Sequence, residues 1–183
     1  MNFQSYLNHF EQILSNEDPN APYNDPHFLD YTKLNWSRMN RWFKTGSINP
    51  ELEQKIKSLK IATKWVLITE PWCGDAAHSV PFIKILADKN PLIKLEIQLR
   101  DNGSEIDNYL TNGGKSIPKL IIRNEKDEDL AVWGPRPEKC QEVFDHLKAD
   151  NADFETMKTA LQKWYNADKG ESIQKELLRL SLE

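Results

Sequence analysis

The residues able to do chemistry in this 183-residue chain gather around one thiol. Cys73 stands in Trp72-Cys73-Gly74-Asp75-Ala76, where an apolar run ends and a helical pattern begins. A cysteine at such a junction meets free backbone N–H groups and the positive end of the helix dipole, and both stabilise a thiolate. The thiolate is the attacking form, so the position suits nucleophilic thiol chemistry. Two carboxylates oppose it, because Glu70 and Asp75 lie within three residues and nearby negative charge disfavours the thiolate. The sequence therefore predicts a thiol only modestly activated from its reference pKa of about 8.5. Asp75 also reads as a plain first-turn acid that the dipole favours.

Other candidates are fewer. His78 could act as a base, but five residues turn it about 140° around the helix from Cys73, so it reads as an ordinary polar residue. Arg136, in Gly134-Pro135-Arg136-Pro137, is held by two prolines that restrict the loop. It is a candidate for binding a carboxylate or favouring a thiolate; the plainer reading is a solvated arginine on a rigid turn. The two cysteines, Cys73 and Cys140, are too few for a disulfide framework or a cysteine-rich zinc site. The four histidines, at 9, 27, 78 and 146, lack metal-ligand spacing. Gly113-Gly114 opens no helix, so no phosphate-cradling loop is evident, and no Gly-x-Ser-x-Gly motif occurs. No metal or cofactor is expected.

These side chains need elements to position them. Trp65-Val66-Leu67-Ile68 is a short apolar run that reads as a buried strand over 64–69. A helix follows over 75–89, with Pro81 inside it. Ile93, Leu95, Ile97 and Leu99 alternate with polar residues, which is strand periodicity. A short helix is expected over 105–112. Strands over 118–123 and 130–133 flank a polar turn and form a hairpin. Pro137 starts a helix to about 149. Before this block, helices are expected over 1–15, 28–44 and 50–59; after it, over 153–167 and 171–182. The central order predicts an α/β fold of three layers, a mixed sheet of about four strands with helices on both faces. The organisation expected is a helical N-terminal extension (1–60), a core (61–149) and a C-terminal helical extension (150–183), packed as one unit. The flanks are expected to cover sheet and helices, with partner binding as the sharper alternative.

The central block resembles the thioredoxin family. Trp72-Cys73-Gly74-Asp75-Ala76 is similar to the family's Trp-Cys-Gly-Pro-Cys. Pro81 matches the proline that kinks its active-site helix. Ile117-Pro118, with Pro118 45 residues past Cys73, matches the Ile-Pro pair whose bond is cis and whose loop faces the cysteine. Gly134 matches a glycine lining the substrate groove. The resemblance spans about 60–148 and implies a thioredoxin-like fold with Cys73 catalytic. Trp72, Gly74, Asp75, Ile117, Pro118, Gly134 and Arg136 would contact the substrate, and Trp72 and Trp133 would flank one groove. Three departures narrow the chemistry. Ala76 replaces the resolving cysteine, so an intramolecular release of a mixed disulfide is lost. Leu67 stands where thioredoxins bury an aspartate. Asp75 replaces proline. Cys140, near the start of the last core helix, is expected to be inert and too far away to pair with Cys73.

Composition bounds the rest. Apolar residues make up 39% and charged residues 28%, enough for a packed core. Net charge is −4 with no basic run, so nucleic-acid binding is not expected. No apolar stretch approaches the ~20 residues of a membrane span, and no signal-peptide pattern is read at the N-terminus. A cytoplasmic location is expected. The function expected is a monothiol thiol-disulfide oxidoreductase, Cys73 forming mixed disulfides with protein or low-molecular-weight thiols and an external thiol such as glutathione resolving them. The alternative is a redox-inactive peptide- or protein-binding module.

Overall fold

A computed structural model describes residues 1–180. Four strands form one sheet in the order β2-β1-β3-β4. The strands are β1 (Thr63–Thr69), β2 (Ile93–Leu99), β3 (Lys119–Arg123) and β4 (Asp129–Trp133). β1 pairs parallel with β2 and antiparallel with β3, and β3–β4 is an antiparallel hairpin. The unbroken apolar run of β1 follows from its place: it is a central strand with Trp65, Val66, Leu67 and Ile68 all buried. A strand covered on both faces has no reason to alternate. The helices are α1 (Phe3–Ser15), α2 (Pro26–Thr45), α3 (Pro50–Ser58), α4 (Gly74–Ala87), α5 (Glu138–Ala149), α6 (Phe154–Asp168) and α7 (Glu171–Arg179). They cover both faces of the sheet, giving the α/β thioredoxin-like architecture with helical extensions. The predicted end of the last helix, at 181–182, lies outside the described residues.

α4 runs directly from the β1 end and is apolar nearly all round, with Val80, Phe82, Ile83 and Leu86 buried. Such a helix must sit between other layers. Here α2 packs along it. The extensions supply core side chains as well: Phe3, Tyr6 and Phe10 of α1, Met39 and Trp42 of α2 and Ile173 and Leu177 of α7 join one apolar cluster with β1 and α4. Each such fully buried apolar side chain contributes about 1.5–3 kcal/mol of transfer free energy.

One element differs from expectation. The helix predicted over 105–112 is a single 3-10 turn, Ile106–Asn108. Glu105 is drawn onto the sheet by Gln98 and by Arg123, whose Nη2 donates to Oε2 at 2.6 Å. Asn112 (φ 50) and Gly113 (φ 78) then adopt left-handed backbone, which ends any helix. The Ile117–Pro118 and Gly134–Pro135 peptides are cis, as is Ala21–Pro22. Among the described residues no helix is long and apolar enough to cross a membrane.

Candidate functional site

Cys73 is the N-cap of α4. Its Sγ accepts the Ala76 N–H at 3.4 Å, an orphan donor of the helix start, and donates to the Ile117 carbonyl at 3.3 Å. The side chain is only 6% exposed. Burial pushes the thiol from 9.0 up to about 12, Asp75 adds to the rise, and the Ala76 N–H and Arg136 offset part of it. Desolvation penalises the charged form whatever the dipole does. The helix N-terminus, Asp75 and Glu70 are local features of the sequence; the depth of the site is not, and it outweighs the helix. Glu70 is buried as well, but its Oε1 accepts the Asp101 N–H at 3.0 Å and so organises the turn after β2. It is not among the main causes acting on Cys73.

Asp75 is held between two helices and a turn. Arg136 Nη2 donates to Oδ2 at 2.6 Å, and the Tyr165 hydroxyl donates to Oδ1 at 2.8 Å. Arg136 also donates to Gln141 Oε1 at 2.9 Å and lies 4.3 Å over the Phe144 ring. Both charged side chains are 12% exposed. Arg136 is therefore no solvated turn residue but half of a nearly buried ion pair beside the thiol. Cys140 is fully buried on α5, and burial, followed by Asp75, pushes its thiol up to about 12.

His78 also departs from its plain reading. It is buried, stacks on Tyr165 with centroids 4.5 Å apart, and accepts from Trp42 Nε1 at 2.8 Å. Its Nε2 lies 3.0 Å from Gln162 Oε1. The acceptor role at Nδ1 assigns a neutral ring protonated at Nε2. Burial lowers its pKa from 6.5 to about 4. His78 thus ties α2 and α6 to α4 at the wall of the cavity over Cys73.

Above Cys73 lies a cavity of about 900 Å³. Of the residues singled out from the sequence, Trp72, Cys73, Gly74, Asp75, Ile117 and Arg136 line it. Pro118, Gly134 and Trp133 do not. Gly134 (φ 111) is pressed so close to the Pro118 carbonyl that a Cβ there would collide with it, leaving no space for a ligand between them. Trp133 does not flank the groove with Trp72: it is buried, donates from Nε1 to Glu176 of α7 at 2.7 Å, and borders a separate depression with Gly134.

The cavity walls come from the extensions. His27, Tyr31 and Leu34 recur on one face of α2; Phe154, Met157, Leu161 and Tyr165 recur on one face of α6, the spacing of a single helical stripe. The Tyr31 hydroxyl sits against Gly74, where a Cβ would collide with it. Sequence reasoning missed Tyr31, Tyr165, Phe154, Arg100 and Lys115. The helical stripe was legible, but a stripe does not say whether it faces core or cavity. Among the described residues no group of three or more His, Cys, Asp and Glu side chains is placed to hold a metal ion.

Comparison with known proteins agrees with the fold. A sequence profile described as thioredoxin matches residues 23–152. Among solved structures, an HIV epitope-scaffold aligns with a TM-score of 0.55 and 16% identity, over 82% of this chain and 88% of its own. A protein of unknown function from Pseudomonas aeruginosa aligns with a TM-score of 0.51 and 13% identity, over 93% and 92%. At these identities the likeness speaks for the fold alone. No curated protein matches. With the profile spanning most of the length and the sheet, α4 and Cys73 arranged as described, the chain belongs to the thioredoxin family.

Proposed function

We propose that this protein is a monothiol thiol-disulfide oxidoreductase of the cytoplasm, acting on low-molecular-weight disulfides and thiols through Cys73. The observation that carries the reading is the single thiol at the α4 N-terminus, on the floor of a cavity and with Ala76 N–H on its sulfur. The Cys73 thiolate attacks a disulfide R–S–S–R, forming Cys73–S–S–R and releasing RS⁻. A second thiolate R′S⁻ then attacks the sulfur of R, forming R–S–S–R′ and returning the electron pair to Cys73. Ala76 leaves that second step to an external thiol, for which glutathione serves as probe. Tyr31 standing on Gly74 favours small reactants over a protein chain laid across the active-site turn. Trp72, Gly74, Asp75, Ile117 and Arg136 would contact the reactant.

One observation favours a second reading. A thiol pushed up to about 12 by burial, with Leu67 where a buried acid would assist proton transfer, fits a redox-inactive module that only binds. Incubation with glutathione disulfide at pH 7 and pH 9 separates the two. Intact-mass detection of one glutathione on Cys73, rising with pH and removed by added glutathione, supports the oxidoreductase. No adduct at either pH leaves the binding module.

A further inference from the structure

We propose that the cavity over Cys73 is a binding site for a compact apolar carboxylate, an aromatic or branched aliphatic acid of low molecular weight. The proposal deepens the small-reactant reading above and rests on it only for the covalent step. The volume, about 900 Å³, is that of a pocket for a small organic molecule. Its walls are largely aromatic: Phe28 meets Trp72 edge-on at 6.1 Å, and Tyr31, Phe144, Phe154 and Tyr165 also line it. Phe28, Leu34 and Phe154 are 40%, 53% and 68% exposed. Large apolar side chains gathered this way around one opening mark a ligand site more than a solvated face.

The charge pattern selects an anion. Arg100, Lys115, Arg136 and Lys158 line the cavity against Asp30, Asp75 and Glu155, although the whole chain carries −4. Arg136 and Lys158 are matched inside the lining by Asp75 and Glu155. Asp30 has its partner Lys33 outside the lining in an exposed pair, so it remains the one lining carboxylate set against Arg100 and Lys115. Arg100 and Lys115 differ from Arg136 and Lys158, because their partners Asp101 and Asp107 lie outside the lining and are 54% and 69% exposed. The Lys115–Asp107 pair is exposed and holds its cation weakly, whereas Asp101 grips Arg100 through Nε and Nη2 at 2.7 and 2.8 Å and leaves Nη1 for a ligand. A ligand carboxylate entering the less hydrated cavity would take charge-assisted hydrogen bonds from the same two donors. Arg100 lies 4.5 Å over the Trp72 ring, so an acid held there keeps its apolar body against the aromatic wall and beside Cys73.

The test uses Cys73→Ser, which removes covalent capture, and titration calorimetry with biphenyl-4-carboxylate and its neutral amide. Saturable one-to-one binding of the acid, at least tenfold tighter than the amide, supports the proposal. So does loss of that preference in the Arg100→Gln, Lys115→Gln double variant, whose changes are at partly exposed positions and spare the core. No saturable binding of the acid, equal affinity for acid and amide, or an undiminished preference in the double variant overturns it. In parallel, wild type is exposed to 5,5′-dithiobis(2-nitrobenzoate), an aromatic disulfide diacid. Binding of the acid by Cys73→Ser with no adduct on wild-type Cys73 sinks the oxidoreductase reading and leaves this proposal standing. Adduct formation without acid preference does the reverse.

Discussion

Replacing Asp75 by Asn tests the electrostatic account of Cys73 most directly. Burial and then Asp75 raise the thiol from 9.0 to about 12. At pH 7 that rise cuts the thiolate population about 1000-fold relative to an ordinary thiol. The thiolate that does form is more nucleophilic, which returns about 15- to 30-fold for a Brønsted slope near 0.45. The net expectation is a reaction with a small disulfide about 30- to 60-fold slower than that of a peptide thiol, before any loss from restricted entry. Asn keeps the shape and can still accept from Tyr165, but it removes one negative charge and leaves Arg136 free to favour the thiolate. A neighbouring charge moves a pKa by about one unit or more, so Asp75→Asn should lower the apparent pKa and speed the reaction at pH 7 by about threefold or more after the nucleophilicity loss. The assay is stopped-flow reaction with 4,4′-dithiodipyridine from pH 6 to 10, in a Cys140→Ala background that leaves one thiol, with the folded state checked by circular dichroism. A wild-type Cys73 that reacts at pH 7 as fast as a peptide thiol would refute the reasoning about burial. An unchanged rate at each pH in folded Asp75→Asn would refute the role of the carboxylate.

Two stability predictions follow from the packing. His78 is held neutral, its pKa lowered from 6.5 to about 4 by burial, so the unfolded chain binds a proton that the folded chain refuses. The folded state then loses roughly 3 kcal/mol from this group as pH falls from 6.5 to 4. Urea unfolding across that range should show a shallower acid dependence for His78→Gln, whose neutral amide can still serve Trp42; equal slopes would remove His78 from the account. Gly170→Ala should cost roughly 2–4 kcal/mol, combining a strained backbone with overpacking. Its φ is 81, and the new Cβ would strike the fully buried Phe82 ring. Gly103→Ala, with φ 69 but open space around it, is the control at about 1 kcal/mol; similar losses at both sites would exclude the Phe82 collision.

Local residue types already determined much of this protein. Alternation in β2, the unbroken apolar run of β1 and the turn between β3 and β4 are short-range signals, and they predicted the mixed sheet. The thiol at the end of β1 and start of α4 was legible because an N-cap is defined by its immediate neighbours. Ala76 and Leu67 likewise announced the missing resolving thiol and the missing acid. What surrounds the thiol depended on contacts across long stretches of chain. Tyr165 reaches Asp75 across 90 residues, and Trp42 reaches His78 across 36. No local pattern records such a meeting, so the sequence left Arg136 open between a partner for a carboxylate or thiolate and a solvated turn residue, read His78 as an ordinary polar residue and placed Trp133 in the groove. The same holds for reactivity. Dipole and neighbouring acids can be read from adjacent positions, whereas desolvation depends on which helices close over the site. Only the tertiary structure decided that α2 and α6 do so, and that burial pushes up the thiol of a cysteine placed for activation.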